Sequence, residues 1–146
     1  MNSPLPSATE TPAKKRTLVP RDAATLIVVD RSSDAAAVKE PRILMGHRSG
    51  KHVFMPNTFV FPGGRLDPED VGIPAHGDLR APVMQRLQRK ASARKARALA
   101  CAAIRETFEE TGLIIGAPHN GNYAASKVTP DWEPFFATGM APRLDC

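Results

Sequence analysis

Three short apolar runs in the first half of the chain predict β-strands. Residues 24–29 (ATLIVV) are rich in β-branched side chains and predict a buried strand. Residues 41–48 (PRILMGHR) predict a second strand that pairs with the first as a hairpin. Residues 58–61 (TFVF) predict a third strand, which ends at a Pro-Gly-Gly sequence where the backbone can approach a ligand closely.

A long amphipathic helix is predicted over residues 93–111. Ser92 is a favoured residue to cap its start, and Gly112 is a favoured residue just beyond its end. At about 100° per residue, the apolar and acidic positions of this stretch fall on opposite sides of the helix. The apolar side holds Ala100, Cys101, Ile104, Phe108 and Thr111, and the acidic side holds Glu106, Glu109 and Glu110. We expect the apolar side to pack on the sheet and the carboxylates to face a cleft.

The remaining segments are shorter or irregular. Residues 81–90 predict a short helix with Pro82 in its first turn. Residues 1–20 contain four prolines and few large apolar side chains, so we expect a disordered lead-in there. The 34 residues after Gly112 (146 − 112) hold no convincing strand, which leaves open an incomplete domain or a truncated reading frame. We therefore expect one domain over residues 21–146.

Composition narrows the class of protein. Hydrophobic residues make up 42% and charged residues 24% of the chain, an ordinary globular profile. No apolar run approaches the roughly 20 residues of a membrane helix, and the N-terminus lacks the apolar core of a secretory signal. Cys101 and Cys146 do not have the spacing of a metal site, and nothing requires an oxidising compartment. We expect a cytoplasmic protein with no membrane segment.

The net charge of +5 leaves three interpretations open. The basic residues are spread over residues 14–16, 48–51 and 86–97 rather than forming one patch. Aromatic residues are only 5% of the chain, so stacking platforms for bases are scarce and we do not expect a nucleic-acid partner. A solvated basic face and a surface that attracts an anionic small molecule both fit the charge.

The acidic helix side carries the strongest chemical signal. Positions i, i+3 and i+4 lie together on a helix, so Glu106, Glu109 and Glu110 are expected to converge. Three like charges this close are costly unless a positive group lies among them. A hard divalent cation with oxygen ligands meets that need, whereas a solvated acidic face is the plainer alternative. Arg105 flanks the three glutamates and is expected to hydrogen-bond Glu109 one turn further on.

This helix resembles the second half of the Nudix box, G-x5-E-x7-R-E-U-x-E-E-x-G-U, in which U is a bulky apolar residue. Residues 105–113 (RETFEETGL) match that half, except that Thr107 stands at the first U. The sequence Phe61-Pro62-Gly63-Gly64 resembles the approach to the first half of the box.

The first half of the box departs from the family pattern. Counted from Gly64, the box acid falls at Asp70 rather than at a glutamate, and the arginine is then expected at position 78. It stands at 105, so 27 residues (105 − 78) interrupt the box, and we assign residues 71–91 to the insertion. A box split in this way resembles the Nudix subgroup that includes peroxisomal acyl-CoA diphosphatases and their bacterial relatives.

The resemblance implies a fold and an activity. The implied fold is α+β, an α/β/α sandwich around a mixed sheet. The implied reaction is hydrolysis of a nucleoside diphosphate linked to another group. Mg²⁺ or Mn²⁺ would be held by Glu106, Glu109, Glu110 and the carbonyl of Gly63. Arg105 would orient the glutamates.

The resemblance leaves the general base open. Glu106 or Glu109 would accept the proton of the attacking water, and Asp70 is a further acid. Glu133 and Asp145 are later acids that stand in no recognisable motif.

The sequence also suggests substrate contacts, each with a plainer alternative. Arg48, Lys51 and Gly64 are expected to contact the diphosphate, although a loop arginine and lysine are as often solvated. The aromatic residues Phe54, Phe59 and Trp132 are candidates either for stacking on a base or for core packing.

The sequence therefore leaves two functions open. One is a metal-dependent diphosphatase acting on a small diphosphate substrate such as CoA or acyl-CoA, with a homodimer left open. The other is a catalytically weak or inactive nucleotide-binding module on the same scaffold.

Overall fold

The computed structural model describes residues 19–31, 41–50, 57–119 and 128–146. Most of the predicted disordered lead-in lies outside the described residues, as do Lys51 and Phe54. Helices and short strands occur together, which confirms the α+β class. The strands are β1 (Ala23–Thr25), β2 (Val29–Asp30), β3 (Arg42–Ile43), β4 (Gly46–His47), β5 (Phe59–Val60), β6 (Gly63–Arg65), β7 (Gly116–Pro118) and β8 (Met140–Pro142). The helices are α1 (Ala81–Leu87), α2 (Ala93–Thr111) and α3 (Glu133–Phe136).

Three extended segments in the first half of the chain, residues 23–30, 42–47 and 59–65, each pair with the other two. All pairs are antiparallel: β1 with β6, β2 with β3, and β4 with β5. Each segment thus pairs with one neighbour through its first half and with the other through its second half. In place of one mixed sheet, the described strands form four antiparallel pairs.

The predicted buried strand at residues 24–29 is divided between two partners. Its start, β1, pairs with β6, and its end leads into β2, which pairs with β3. Ile27 is 57% exposed, Val29 is 41% exposed, and Leu26 and Val28 are only half-buried, so the expectation of a buried strand is wrong and exposure alternates along it. The physical reason is the period of a strand, which turns successive side chains to opposite faces.

Helix α2 has the bounds that the sequence predicts, Ala93–Thr111. The Ser92 side chain accepts a hydrogen bond from the backbone N–H of Lys95 (3.2 Å), which satisfies a free donor at the helix start. Gly112 ends the helix with φ of 73°, the left-handed conformation that glycine adopts without strain. The helix packs against β1 and β6, which brings its C-terminal half beside the Gly63-Gly64 pair.

The hydrophobic core gathers on one side of α2. Its buried members come from four parts of the chain: Ile73, Cys101, Ile104, Trp132, Phe135 and Leu144. Trp132 is therefore a core residue, whereas Phe59 is 65% exposed. Phe108 packs against the core as predicted, but Thr111 is exposed because it lies in the last turn, beyond the core.

The expectation that no strand follows Gly112 is wrong. β7 pairs with β8 in antiparallel register, with Ala117 opposite Ala141. His76, from the segment that interrupts the box, adds a parallel bridge to Arg143 beyond β8. Glycine, proline and alanine have low strand propensity, so these strands depend on burial of Ala117 and Ala141 rather than on local preference.

No helix among the described residues is both long and apolar enough to cross a bilayer.

Candidate active site

Strand β6 presents one backbone edge to β1 and the other edge to α2. In the β1–β6 ladder, Leu26 N–H donates to the Pro62 carbonyl and Leu66 N–H donates to the Asp22 carbonyl, each at 3.0 Å. Hydrogen-bonded pairs alternate along an antiparallel ladder, so the backbone groups of Gly63 and Arg65 are directed away from β1. The Gly63 N–H accordingly donates to Glu110 Oε2 (3.3 Å) on α2.

Gly63 occupies a position that excludes other residues. Its φ is 151°, and a Cβ there would overlap the carbonyl oxygen of Ala24 and lie 2.7 Å from the Cα of Thr25. Gly63 and Gly64 both lie in β6 and not in a tight turn. Glycine at position 63 is what allows β6 to lie against β1.

Gly64 is needed for a different reason. A Cβ there would coincide with the space taken by the carboxylate of Glu106. The absence of a side chain lets this carboxylate pack directly on the backbone of β6. The glycine pair therefore has two roles, since Gly63 permits strand pairing and Gly64 makes room for an acid of the helix.

Arg105 is the buried hub of the acidic region. Its side chain is 4% exposed. Nη1 donates to both carboxylate oxygens of Glu109, at 3.1 and 3.2 Å, which confirms the predicted contact one turn apart. Nη2 lies 3.2 Å from Glu106 Oε1 and also donates to the Arg65 carbonyl (3.2 Å) and to Asp67 Oδ2 (3.3 Å). One guanidinium thus links the helix acids to the chain that follows β6.

Asp70 lies beneath the arginine and is completely buried. Its Oδ1 accepts from Arg105 Nε (2.9 Å) and from Trp132 Nε1 (3.1 Å). Its Oδ2 accepts from Arg105 Nη2 (3.2 Å) and from the Asp67 N–H (2.9 Å). The two halves of the interrupted box therefore meet in space, because the acid of the first half binds the arginine of the second.

The three glutamates are neighbours with partly shared partners. Glu106 and Glu109 both bind Arg105, Glu106 also lies against Gly64, and Glu110 accepts from Gly63. Besides burial, the negative charges of Glu109 and Glu110 both raise the pKa of Glu106, as expected for carboxylates on one side of a helix. Within the described ranges, no three His, Cys, Asp or Glu side chains are grouped closely enough to hold a metal ion, so the role of these glutamates as metal ligands stays a prediction.

The pKa values of Glu106 and Arg105 are both raised, but for different reasons. Burial raises the pKa of Glu106, Arg105 opposes that shift, and the negative charge of Glu109 adds to it. Burial disfavours the charged form of Arg105, yet hydrogen bonds and charge attraction to Asp70 and Glu109 outweigh burial and raise the pKa of the guanidinium. Arg105 is therefore permanently charged, whereas Glu106 holds its proton more tightly than an exposed glutamate.

The donor set fits a hard divalent cation. All the candidate ligands are oxygens, from the three glutamates and the Gly63 carbonyl, as Mg²⁺ and Mn²⁺ prefer. Gly64 keeps open the space in which the Glu106 carboxylate approaches the strand. A cation beside Glu106 would also relieve the repulsion from Glu109 that raises its pKa.

Thr107, the departure from the apolar position of the box, is accommodated locally. The residue is fully buried, and its hydroxyl donates to the Ala103 carbonyl one turn earlier (2.7 Å). This bond satisfies the polar group inside the helix, so the side chain fills the space of a similar-sized apolar residue.

The other predicted site residues are more scattered. Arg48 is half-buried at the end of the β4–β5 hairpin, where its N–H donates to the Thr58 carbonyl (3.0 Å). Lys51 lies outside the described residues. Glu133 begins α3 on the surface, and Asp145 accepts from Arg143 Nε (2.8 Å).

Two residues contact Arg105 or Asp70 in ways that the sequence did not predict: Asp67 was not identified as a site residue, and Trp132 was considered only for base stacking or core packing. Asp67 contributes both its backbone N–H and its carboxylate, and Trp132 contributes its indole N–H. The run of acids around Pro68 was a usable signal for Asp67, since Asp is favoured just before a turn that opens with proline. No local signal relates Trp132 to a residue 62 positions earlier.

An apolar groove of about 570 Å³ lies between β1 and the apolar side of α2, and no residue of the box lines it. Ala24 and Thr25 line it, and they pair with Gly64 and Gly63 across the ladder. The segment that interrupts the box supplies part of its wall through α1. Apolar lining residues include Leu26, Val28, Val83, Leu87, Leu99 and Ile104.

Known proteins resemble this chain over part of their length. The acyl-coenzyme A diphosphatase of Xenopus laevis is 31% identical over 138 residues, which cover 70% of this chain and 36% of that protein. The crystal structure of a Nudix hydrolase from Alicyclobacillus acidocaldarius matches with a TM-score of 0.55 and 26% identity, covering 86% of this chain and 57% of that chain. The chain therefore spans about a third of the curated relative's length and just over half of the solved structure.

No protein-family model matches the chain. The box residues assembled around Arg105 nevertheless agree with both likenesses. In sequence and in fold, the chain is therefore similar to Nudix hydrolases.

Proposed function

We propose that the chain is a divalent-cation-dependent diphosphatase acting on a nucleoside diphosphate derivative. The observation that carries the proposal is the contact of Arg105 with Asp70 and Glu109, which joins the two halves of a box interrupted in sequence. A solvated acidic face would not require a buried guanidinium with carboxylates on two sides. The arrangement instead resembles a scaffold that holds catalytic acids in fixed positions.

Glu106, Glu109, Glu110 and the Gly63 carbonyl would hold Mg²⁺ or Mn²⁺. When bound, such a cation polarises phosphoryl oxygens and lowers the pKa of a bound water. The alternation of the β1–β6 ladder supports the Gly63 carbonyl as a ligand. In a strand, the N–H and carbonyl of one residue point to the same side, and the Gly63 N–H already donates to Glu110 on α2.

The general base is proposed to be Glu106 or Glu109. Glu106 is partly desolvated, and its raised pKa gives it a higher proton affinity than an exposed glutamate. Glu109 is oriented by two hydrogen bonds from Arg105, which fixes both of its oxygens while leaving the side chain 44% exposed. Both arrangements are suited to accepting a proton from water at the phosphorus.

CoA or acyl-CoA is the proposed substrate class. The name of the Xenopus laevis relative supports this choice, and so does the apolar groove beside the glycine pair. An acyl chain is the occupant that we assign to this groove, because apolar lining takes up apolar groups. Arg48, Lys51 and Gly64 are the proposed diphosphate contacts, and the net charge of +5 favours an anionic ligand.

A substrate panel with Mg²⁺ or Mn²⁺ tests the activity. The panel contains CoA, a long-chain acyl-CoA, a nucleotide sugar and a dinucleotide, and the products are separated by chromatography. We expect Glu109→Gln and Glu110→Gln each to lower kcat by about 10²–10⁴-fold. Asp78→Asn, which neutralises an exposed carboxylate outside the acidic site, is the control and should leave kcat unchanged. Equal activity in all four proteins would end the catalytic assignment.

The acyl assignment has its own test. Val83 lines the groove and is 37% exposed, so a charge there should be tolerated by the fold. We expect Val83→Asp to raise KM for the long-chain acyl-CoA by about tenfold, because it places a carboxylate in an apolar wall. KM for CoA itself should change little. A rise that is equal for both substrates would argue against an acyl chain in the groove.

A nucleotide-binding module without turnover is the second candidate. The observation that favours it is that no three His, Cys, Asp or Glu side chains in the described parts of the chain are grouped closely enough to hold a metal ion. Calorimetry discriminates between the candidates. Tight binding of a panel compound with no product at any Mg²⁺ or Mn²⁺ concentration would support the binding module.

A further inference from the structure

Trp132 combines a core position with a polar contact to the acidic region. Its residue is 0% exposed, and its ring packs edge-on against Phe135 and Phe136, with centroids at 5.5 and 6.3 Å. The indole N–H nevertheless reaches Asp70 Oδ1 at 3.1 Å. The core thus fixes the ring, and the polar edge of the ring meets a buried carboxylate.

A second contact joins the same two stretches of chain. The Asp131 N–H donates to Glu69 Oε2 at 3.2 Å, directly beside the contact from Trp132 to Asp70. The turn Pro68–Asp70 is therefore attached at two adjacent residues to the turn Pro130–Trp132. One side of this attachment belongs to the first half of the box, and the other side, 62 positions later, lies outside the box.

The orientation of Asp70 in turn sets the plane of the guanidinium. Each of its oxygens accepts from one side of Arg105, at 2.9 Å from Nε and at 3.2 Å from Nη2. The opposite side of the same planar group donates from Nη1 to both oxygens of Glu109. Since a guanidinium is rigid and planar, a rotation of Asp70 would be passed to Glu109.

We infer that Trp132 is a positioning residue for the acidic site, which it orients through Asp70 and Arg105. This inference rests on the proposed diphosphatase function and adds to it a residue from outside the box. Trp132 itself contacts none of the three glutamates in the hydrogen bonds described above. Its contribution is one donor to the carboxylate that orients the arginine.

The test removes the indole N–H and keeps the ring. Trp132 is the only tryptophan of the chain, so it can be replaced by β-(3-benzothienyl)alanine, in which sulfur stands in place of N–H. Affinity for Mn²⁺ is measured by calorimetry, and kcat and KM are measured on the best substrate of the panel. We expect Mn²⁺ affinity and kcat each to fall by about 10-fold, as for partners that orient metal ligands, with KM little changed.

Phe136→Leu is the control for packing. It removes a ring that packs on the same indole but carries no hydrogen-bond donor. We expect it to lower Tm as much as the benzothienyl replacement, or more, while Mn²⁺ affinity and kcat stay within twofold of wild type. Wild-type values in the benzothienyl protein would overturn the inference, and so would equal losses of affinity in the two proteins.

Failure of the proposed function would be recognised separately. Wild-type protein that neither binds Mn²⁺ nor turns over any panel substrate would refute the diphosphatase assignment, and the inferred role in a metal site with it. The Nε–H resonance of Arg105 reports the orientation without either ligand. Its hydrogen exchange should accelerate about tenfold or more in the benzothienyl protein, and an unchanged rate would overturn the inference whatever the activity.

Discussion

Replacing Arg105 measures how much its buried ion pair with Asp70 contributes to the free energy of unfolding. Arg105→Met keeps an unbranched apolar stem and removes the charge and all the N–H donors. Asp70 then keeps two of its four hydrogen-bond donors, the Asp67 N–H and Trp132 Nε1, and loses its cationic partner. Because Asp70 is 0% exposed, water cannot replace that partner.

The expected loss of stability in Arg105→Met follows from the burial of Asp70 and Arg105. Removing one member of a buried ion pair typically costs about 3–5 kcal/mol, against a total stability of about 5–15 kcal/mol for a domain. For a chain of this size, Tm should fall by about 6–20 °C.

The double variant Arg105→Met/Asp70→Asn is the control. Asparagine keeps an oxygen that can accept from Trp132 and Asp67, and no uncompensated charge remains buried. We expect it to be more stable than Arg105→Met at neutral pH. Chemical unfolding monitored by circular dichroism at pH 7 measures the free energy of unfolding of both variants and of the wild type. A cost below about 1 kcal/mol for Arg105→Met, or a double variant no more stable than Arg105→Met, would refute the account of the buried pair.

Two further predictions concern the glycine pair and the cysteines. Gly64→Ala should keep the fold but lower Mn²⁺ affinity at least tenfold by displacing the Glu106 carboxylate, whereas Gly63→Ala should lower Tm because its Cβ meets the backbone of β1. Equal Tm losses in calorimetric scans of the two variants would contradict this division. Burial raises the pKa of Cys101 to about 12, so Ellman's reagent at pH 8 should modify the exposed Cys146 quickly and Cys101 only after unfolding. Rapid modification of two thiols in the native protein would show that Cys101 is accessible.

The features that the sequence predicted well depend on near neighbours in the chain. Helix α2 has its expected bounds because Ser92 caps its start, Gly112 ends it, and the alanine-rich stretch between them favours helix locally. The contact between Arg105 and Glu109 also spans a single helical turn. Such interactions follow from helix geometry alone and do not depend on the rest of the fold.

The features that the sequence did not predict depend on distant contacts. The division of residues 24–29 between two partners is set by where β3 and β6 lie, not by local strand preference. Strands β7 and β8 consist of Gly, Ala, Pro and Met, so their pairing had no local signal. Ile73 was assigned to an insertion in the box, yet it is 1% exposed in the core.

The same distinction explains the outcome at the candidate site. The second half of the box placed Glu106, Glu109 and Glu110 on one helix because their spacing is local. The contacts of Glu110 with Gly63 and of Glu106 with Gly64 depend on the position of β6, which only the folded chain reveals. The connection between Asp70 and Trp132 likewise joins residues 62 positions apart.

The most direct test of the central claim is a Mn²⁺ titration of the folded protein by electron paramagnetic resonance. The wild type is compared with the variant that carries Glu106→Gln, Glu109→Gln and Glu110→Gln, after circular dichroism has shown that both are folded. We predict saturable binding by the wild type and a loss of affinity of at least 100-fold in the triple variant, because its three anionic ligands become neutral. Equal Mn²⁺ affinity in the two proteins would contradict the assignment of these glutamates as the metal site.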